Sequence, residues 1–394
     1  RSGRTHGRRA VAEIIEVKPE IIRWALHRSG RTTGGLVQKF PQIHAWESDL
    51  ARLTLTELEK LAAATLTPLG FFFLPKPPVE ELPIPDFRTV KDMPLEGMSP
   101  DLIETVNTMV MRQDWYREYL RDEDVPELDF IGSVTLKANI KKVADAIKAK
   151  LGLEQGWAAR KRTWGDTLSY LRDCVEAIDV VMVTNSVVGN NNRRRLSVEE
   201  FRGFVLCDKL APVIFVNGSD AKSAQVFTIF HELAHLWLGK SAIFDNKQVE
   251  EPTEAVEKFC NAIAAEATVP TSELRRLWPQ RQADDVYFSQ FSHYFKVSPI
   301  TIGRRLVELD LLTKKAFFDF YEAYRKLDNT QAAQDAGGGN FYFIQNNRVG
   351  KRFARAVASA AYEGKLSYPD AFRLTGLTAA TFDQYLSVAR GRKG

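Results

Sequence analysis

The sequence predicts an α+β fold that is mostly helical and contains one small β-sheet. Three short apolar runs, at residues 180–184, 204–207 and 212–216, have the length and composition of buried strands. Most of the remaining chain carries apolar residues at helical spacing, interrupted by glycine and proline. A small sheet with helices before and after it indicates an α+β arrangement.

Composition and charge narrow the class of protein. The chain has 394 residues, of which 44% are hydrophobic and 26% charged, as in an ordinary soluble protein of two or three domains. It contains no run of about eighteen apolar residues, and its first residues are polar and basic, unlike a signal peptide. Three cysteines without CxxC spacing argue against a disulfide framework and against a cysteine metal site. We therefore expect a cytoplasmic protein with no membrane partner.

Residues 1–74 predict an all-α module with a basic bias. Its helices are expected to begin at Pro19, at Thr32 or Thr33, at Pro41 and at Thr54, where Thr54 and Glu57 form a capping box. Several short helices of this kind are typical of a helix-turn-helix module of the repressor type. The recognition segment would be residues 38–44, in which Lys39 is the only Lys or Arg. We expect either duplex-DNA binding or a degenerate module that only packs or holds a partner.

Proline marks the end of this module. Seven of the 17 prolines fall between positions 75 and 100, and proline removes backbone donors and fixes φ, so an extended connector is expected there. We therefore divide the chain into a helix-turn-helix-like module (1–74), a proline-rich linker (75–100), a main domain (101–312) and a helical C-terminal region (313–394).

Apolar stripes predict helices on both sides of the three strands. The expected helices lie at 100–122, 139–151, 164–177, 252–267, within 272–311, at 314–327, and as two or three helices within 341–389. Between the first two strands, the polar segment 185–195 contains three consecutive asparagines and predicts a loop.

The helix predicted at 227–239 carries the pattern His231-Glu232-x-x-His235. Positions four apart lie one above the other on a helix, so the two imidazoles can bind one metal ion. Glu232 lies beside them, where it can hold and deprotonate a water that the metal activates. The rest of the helix is apolar, which places the histidines in or beside a core. The pattern predicts a hydrolytic Zn²⁺ site.

A catalytic zinc takes three protein ligands and leaves one position for water. The candidates for the third ligand are Glu250, Glu251, Glu254, Glu257 and the only downstream histidine, His293. Glu257 shares a helix stripe with Asn261 and Ala264, where small neighbours let another helix approach closely, and it is favoured over Glu254. Glu250 and Glu251 lie in a polar loop, where solvated charge is the ordinary role.

Three blocks of this sequence resemble the ImmA/IrrE family of zinc metallopeptidases in order and spacing. They are residues 213–217, 227–236 and 256–270. The resemblance covers residues 130 to 310. Trp46-Glu47 and the Pro85-Asp86-Phe87-Arg88 segment also resemble the longer members that are fused to a helix-turn-helix module.

The resemblance implies a zincin-like domain that cleaves a transcriptional repressor or similar regulatory protein in a phage, mobile-element or stress-response switch. His231 and His235 match the zinc-binding histidines, Glu232 the catalytic glutamate and Glu257 the third ligand. The sequence departs from the family at Phe259, where many members have a second glutamate. If that glutamate were the ligand, this chain would lack it and an inactive peptidase would be expected.

A peptidase also needs a hydrogen-bond donor for the tetrahedral oxyanion, and Tyr287, His293 and Tyr294 are the candidates, although such residues more often have ordinary structural roles.

The expected partners are a protein substrate and, through the N-terminal module, duplex DNA. The alternative function is a DNA-binding regulator or antitoxin-like protein whose zinc domain senses or scaffolds without proteolysis. The sequence favours the peptidase because Glu232 has no structural need to lie between two metal ligands.

Overall fold

The computed structural model describes residues 14–80, 98–244, 255–282, 286–331 and 341–382. They form two compact units. The first unit takes in the described residues up to 80 together with 98–104, and the second takes in those from 105 onward. Helices dominate and the sheets are small, so the predicted α+β class is confirmed.

The first unit is a small helical body with one pair of strands. Its elements are β1 (Ile14–Val17), α1 (Pro19–Arg28), α2 (Thr33–Leu36), α3 (Ile43–Trp46), β2 (Ala51–Thr54), α4 (Leu55–Ala64) and a 3₁₀ turn (Leu69–Phe73). Strands β1 and β2 pair antiparallel, with Ile14 opposite Thr54. The apolar faces of these elements enclose a core of their own, centred on residues such as Ile21, Leu53 and Leu61.

The N-terminal predictions meet with mixed results. The capping box is confirmed, since the Thr54 hydroxyl accepts from the Glu57 amide (3.3 Å) and the Thr54 amide donates to the Glu57 carboxylate (2.8 Å). The strand pair was not predicted, because four-residue runs carry too little periodicity to identify. Helices α2 and α3 span four residues each, so a second helix running from Thr32 or Thr33 through Phe40, as the sequence predicts, is too long. DNA binding by this unit stays a prediction.

The second unit contains most of the helices. They are α5 (Pro100–Asp122, whose first residues belong to the first unit), α6 (Ile140–Lys150), α7 (Trp164–Ala177), α8 (Lys222–Leu238), α9 (Ala255–Thr268), α10 (Thr271–Leu277), α11 (Val286–Phe295), α12 (Pro299–Glu308), α13 (Lys314–Gln331), α14 (Phe341–Val349), α15 (Lys351–Tyr362) and α16 (Tyr368–Thr375). Among the described residues, no helix combines the length and apolar character needed to cross a bilayer.

The strands of the second unit form a four-stranded sheet and a short hairpin. They are β3 (Val181–Asn185), β4 (Val187–Val188), β5 (Asn191–Arg195), β6 (Gly203–Leu206), β7 (Val213–Asn217) and β8 (Ala242–Phe244). The sheet has the order β3-β7-β6-β8; β3 and β7 are parallel, and the other neighbours are antiparallel. The predicted loop at 185–195 is wrong in part, because β4 and β5 pair there as a hairpin.

Asparagines fix the turn that leads from the sheet into α8. The buried Asn217 side chain donates to the Phe201 carbonyl (3.1 Å), and its amide oxygen accepts from the Ser219 backbone (3.0 Å). The Gly218 amide donates to the Asn185 carbonyl at the end of the parallel partner strand (2.8 Å). Helix α8 therefore starts at a defined point and packs across β6 and β7. Helix α9 packs mainly against α8 and α6.

Part of the predicted linker lies outside the described residues. Of residues 75–100, only 75–80 and 98–100 are described, and 75–80 form neither helix nor strand. The division into two units separates the front of the chain from the rest but keeps the described part of 313–394 with the main domain. The predicted boundary at 312 stays a prediction.

Candidate metal centre

Helix α8 carries its polar residues into the interior of the second unit. The side chains of His231, Glu232 and His235 are 0% exposed. The neighbouring positions on the helix are almost entirely apolar and belong to the same core. Burying three ionisable groups on one helix face is unfavourable unless they are paired or bind a ligand, so this cluster requires a chemical explanation.

The C-terminal end of α8 is held by an earlier segment of the chain. Gly239 ends the helix in the left-handed conformation (φ 74°), which glycine adopts without strain. The Gly132 amide donates to the Leu236 carbonyl (3.0 Å), and the Val134 amide donates to the Trp237 carbonyl (3.0 Å). These bonds satisfy carbonyls that a helix end leaves open and fix the turn that bears His235.

Glu257, in the first turn of α9, completes a compact cluster with the two histidines. The two Nε2 atoms lie 3.0 Å apart. The Glu257 carboxylate oxygens lie 3.2 Å from His231 Nε2 and 3.3 Å from His235 Nε2. One ligand atom from each of the three side chains falls within 4.8 Å of the others. The structure thus brings together the three residues predicted as metal ligands.

The donor set and its spacing fit a tetrahedral divalent ion. Two nitrogens and one carboxylate oxygen are a ligand set that Zn²⁺ uses in catalytic sites. Ligand bonds of about 2.0–2.1 Å at tetrahedral angles place the ligand atoms about 3.3 Å apart. The measured separations of 3.0–3.3 Å agree with this value. Of the four side chains in the centre, only that of Glu257 reaches solvent, with 16% exposure.

The electrostatics of the centre follow from burial and from these contacts. Burial acts to raise the pKa of Glu257, but the hydrogen bonds and charges of His231 and His235 outweigh it and hold that pKa well below its usual range. Burial and the neighbouring His231 lower the pKa of His235, so its imidazole tends to be neutral, the form that binds metals. Burial, together with the charge of Glu257, raises the pKa of Glu232 well above its usual value.

Glu232 has no protein partner in the described part of the chain. Both carboxylate oxygens are buried, and neither makes a hydrogen bond to a described residue. Strand β6 passes directly beside it at Gly203: a Cβ atom there would lie 3.1 Å from Glu232 Oε1 and 2.6 Å from Thr228 Cγ2. A buried carboxylate that the fold leaves unpaired is available for a water or a substrate.

The alternatives for the third ligand can be examined in part. Phe259 is buried in the core, so its position offers no ligand. Glu250, Glu251 and Glu254 lie outside the described residues. Cys260 lies near the centre, and burial and the charges of Glu257 and Glu232 raise the pKa of its thiol, which favours the neutral form. Glu257 is therefore the described carboxylate that meets the two histidines.

The three oxyanion candidates have partners elsewhere. The Tyr294 hydroxyl donates to Glu273 (2.7 Å), and the His293 ring packs on Trp164 at a centroid distance of 4.6 Å. The Tyr287 ring contacts that of Trp278 at 5.4 Å. None of these contacts connects the candidates to the histidine–glutamate cluster. Their role as oxyanion donors stays a prediction.

Sequence reasoning did not identify Gly203 as part of the centre. A glycine at the start of an apolar strand is a signal for close backbone approach, and it could have been noticed. The sequence of the strand does not show which side chain lies against the glycine, because that depends on how α8 crosses the sheet.

Comparison with known families gives two matches. The peptidase M78 family, described as the IrrE N-terminal-like domain, matches residues 176–307. A domain of unknown function, DUF8813, matches residues 349–387. No match is found among curated proteins or solved structures. The first match contains His231, Glu232, His235 and Glu257, so it supports the resemblance to the ImmA/IrrE family for residues 176–307. The N-terminal module lies outside the matched residues, and its likeness to a helix-turn-helix stays a prediction.

Proposed function

We propose that this protein is a zinc-dependent endopeptidase that cleaves a regulatory protein, with a transcriptional repressor as the substrate class. The observation that carries the proposal is a three-donor cluster of two histidines and a glutamate beside a buried carboxylate that no described residue pairs with. The cluster lies inside the residues that the metallopeptidase family matches.

The residues of the centre divide into binding and proton-transfer roles. His231, His235 and Glu257 would hold the metal, and Glu257 would offset part of its charge. When bound, zinc supplies a Lewis acid that acidifies a water and polarises the scissile carbonyl. The burial of both histidines keeps bulk water away from the donor atoms, which strengthens electrostatic interactions there.

Glu232 is the proton-transfer group in this proposal. Its carboxylate follows a metal-binding histidine in sequence and is unpaired in the described structure. It accepts the proton of the attacking water and then delivers that proton to the departing amine nitrogen, so one residue acts first as base and then as acid. Positioned acid–base groups of this kind contribute about 10²–10⁴-fold to rate.

The burial of the centre supports a selective enzyme. Three of its four side chains are fully buried, and solvent reaches the centre at Glu257. Restricted access favours a substrate that presents a specific extended segment over general digestion. Cys174, Cys207 and Cys260 are thiols that are not joined in disulfides, which fits a reducing compartment such as the cytoplasm, where repressors act.

The test compares wild type with Glu232→Gln, each co-expressed with candidate repressors encoded beside it. The expected result is that both proteins hold equal amounts of zinc, while cleavage in the variant falls by about 10²–10⁴-fold because the proton acceptor is lost. Metal content and repressor fragments are read by elemental analysis and mass spectrometry. If both proteins hold zinc and leave every repressor intact while regulation persists, the non-proteolytic regulator is the correct function.

A further inference from the structure

A cavity of about 330 Å³ opens in the second unit, near the C-terminal end of α9. It lies among the end of α6, the segment after it, the end of α9, the start of α10 and the end of α11. Small-molecule sites have volumes of about 300–1,000 Å³, so this cavity can take a compact ligand or one long side chain.

The cavity is separate from the candidate metal centre. None of His231, Glu232, His235 and Glu257 lines it. Thr268, which does line it, follows Glu257 by eleven residues on α9. At 1.5 Å per residue, this puts the two sites about 16 Å apart along the helix.

Glu273 contributes a buried carboxylate to the wall of this cavity. Its side chain is 4% exposed. One oxygen, Oε1, accepts from the Tyr294 hydroxyl (2.7 Å) and forms an ion pair with Arg276 Nη2 at 3.8 Å, beyond hydrogen-bond distance, where the Arg276 side chain is 57% exposed. In the described part of the chain we find no hydrogen bond to the other oxygen. A buried carboxylate normally has several donors or a close cation.

Glu266, seven residues earlier, shows how this fold satisfies a buried carboxylate that is purely structural. The Arg305 guanidinium donates to Glu266 Oε2, and so does the Thr271 hydroxyl (2.6 Å). The Thr271 amide approaches both of its oxygens. Arg305 also bonds the Val269 carbonyl (3.1 Å), so the pair ties α9 to α12. Among the described residues, the partners of the Glu273 carboxylate are the Tyr294 hydroxyl and, at 3.8 Å, the Arg276 guanidinium, both at the same oxygen.

The charges at the mouth of the cavity compensate one another. Lys148 pairs with Asp145 (2.9 Å), and Arg160 pairs with Glu154 (2.5 Å). Glu273 is paired with the more than half-exposed Arg276 through one oxygen, and no described residue donates a hydrogen bond to its other oxygen. Apolar and aromatic side chains, including Leu153, Trp157 and Phe295, form the remaining buried wall.

We propose that this cavity binds a cationic group on an apolar stem, an alkylguanidinium or alkylammonium, with Glu273 as its counter-ion. The stem lies against the apolar wall, and the cationic head donates to the open oxygen of Glu273. Such a group is either the side chain of an arginine or lysine on a polypeptide or a free organic amine.

The experiment titrates the full-length protein with N-butylguanidinium and with its neutral isostere N-butylurea. Methyl resonances of Leu153 and Ala267 report the location by NMR. We expect saturable binding of the cation at these methyl groups and none of the urea. Glu273→Gln keeps an acceptor for Tyr294 but removes the charge, and it should weaken binding by about tenfold or more.

Two further variants make the result specific. Glu154→Gln removes a charge at the exposed rim and should change the affinity less than about twofold, since exposed pairs contribute little. Ala149→Trp, on the exposed end of α6, should block the mouth while Glu273 stays in place, which keeps the test decisive if Glu273→Gln does not fold. The proposal is overturned if no saturable binding is seen, if butylurea binds as well, or if Glu273→Gln and Ala149→Trp both bind like wild type.

The source of the cation is then read from two probes. A blocked Gly-Arg-Gly peptide that binds more tightly than spermidine identifies a polypeptide side chain, and the reverse order identifies a free polyamine. Either order supports the site.

Discussion

Gly203 shows at the scale of one residue how the strand and the helix share space at the metal centre. A Cβ at this position would lie 2.6 Å from Thr228 Cγ2, 2.9 Å from the Phe215 carbonyl oxygen and 3.1 Å from Glu232 Oε1. Cβ atoms essentially never approach other atoms within 3.0 Å, so the absence of a side chain lets α8 and its buried carboxylate lie against the sheet.

Gly203→Ala is expected to lower the free energy of unfolding by about 1–3 kcal/mol, the usual effect of overpacking a core. It should also slow peptide cleavage, because the new methyl group presses on Glu232. Urea unfolding and cleavage rates measure the two effects.

The matched control is Gly203→Ala combined with Thr228→Ser, which deletes the nearest clashing methyl group but leaves the contact with the Phe215 carbonyl. Part of the lost stability should return in the double variant. Unchanged stability in Gly203→Ala alone would show that the strand and helix are less closely packed than this structure has them.

At this scale the sequence is informative where the chemistry is local. His231, Glu232 and His235 share one helix, so the helical repeat alone predicts that the two histidines meet. Glu257 reaches them from another helix, and only its stripe of small neighbours and the family resemblance favoured it. The Tyr294 hydroxyl could not be placed, because its partner Glu273 comes from α10, and no local pattern links the two.

At the scale of elements, the N-terminus of α15 shows how a helix of the C-terminal region is attached. The Glu176 carboxylate, at the end of α7, accepts from the backbone amides of Lys351 and Arg352, both at 2.9 Å. A carboxylate at a helix N-terminus satisfies open donors and interacts favourably with the helix dipole. The contact joins the residues matched by the peptidase family to those matched by the domain of unknown function.

This contact predicts a pH dependence. Burial, only partly offset by the backbone hydrogen bonds, raises the pKa of Glu176 to about 7 from an ordinary value of 4.5. Between these values the folded protein holds a proton that the unfolded chain has released, so the free energy of unfolding should fall as the pH rises from 4.5 to 7. Below pH 4.5 and above pH 7, Glu176 does not make the free energy of unfolding change with pH.

Urea unfolding measured at pH 4.5 and at pH 7 should show that the free energy of unfolding of Glu176→Gln lacks this decrease. Asp173→Asn is the control, because Asp173 also pairs with α15, through Lys351, but is half exposed. Equal slopes for wild type and Glu176→Gln would contradict the prediction.

Element prediction succeeded where the pattern was long. Helix α5 begins and ends within a residue of the expected range, and α7 spans 164–177 as expected. The sequence predicts a loop in place of the β4–β5 hairpin because the second strand, Asn191–Arg195, is polar and mostly exposed, so hydrophobic alternation gives no signal. Strand β8 has three residues and is defined by its pairing with β6.

At the scale of the whole molecule, the described chain consists of two units with separate cores, and all three candidate metal ligands belong to the second. Composition and the cluster of prolines predicted a division near residue 75. They could not predict that the described C-terminal helices group with the main domain, because that depends on distant contacts such as those of Arg112 with the carbonyls of Arg348 and Leu374.

Metal removal should therefore act on one unit. A ligand at about 100 times its Kd stabilises the state that binds it by about 2.7 kcal/mol, which for a unit of this size corresponds to a Tm change of about 4 °C. Calorimetry with zinc and with a chelator should show this shift in one transition. Glu257→Gln should remove the response, and an equal response in that variant would place the metal elsewhere.

The central claim is that His231, His235 and Glu257 bind one zinc ion beside Glu232. The most direct measurement is anomalous diffraction at the zinc edge from crystals of the zinc-loaded protein. The account predicts one strong peak about 2.0–2.2 Å from both Nε2 atoms and a Glu257 oxygen, with Glu232 outside the ligand set. A peak with other ligands, or no peak between these side chains, would contradict it.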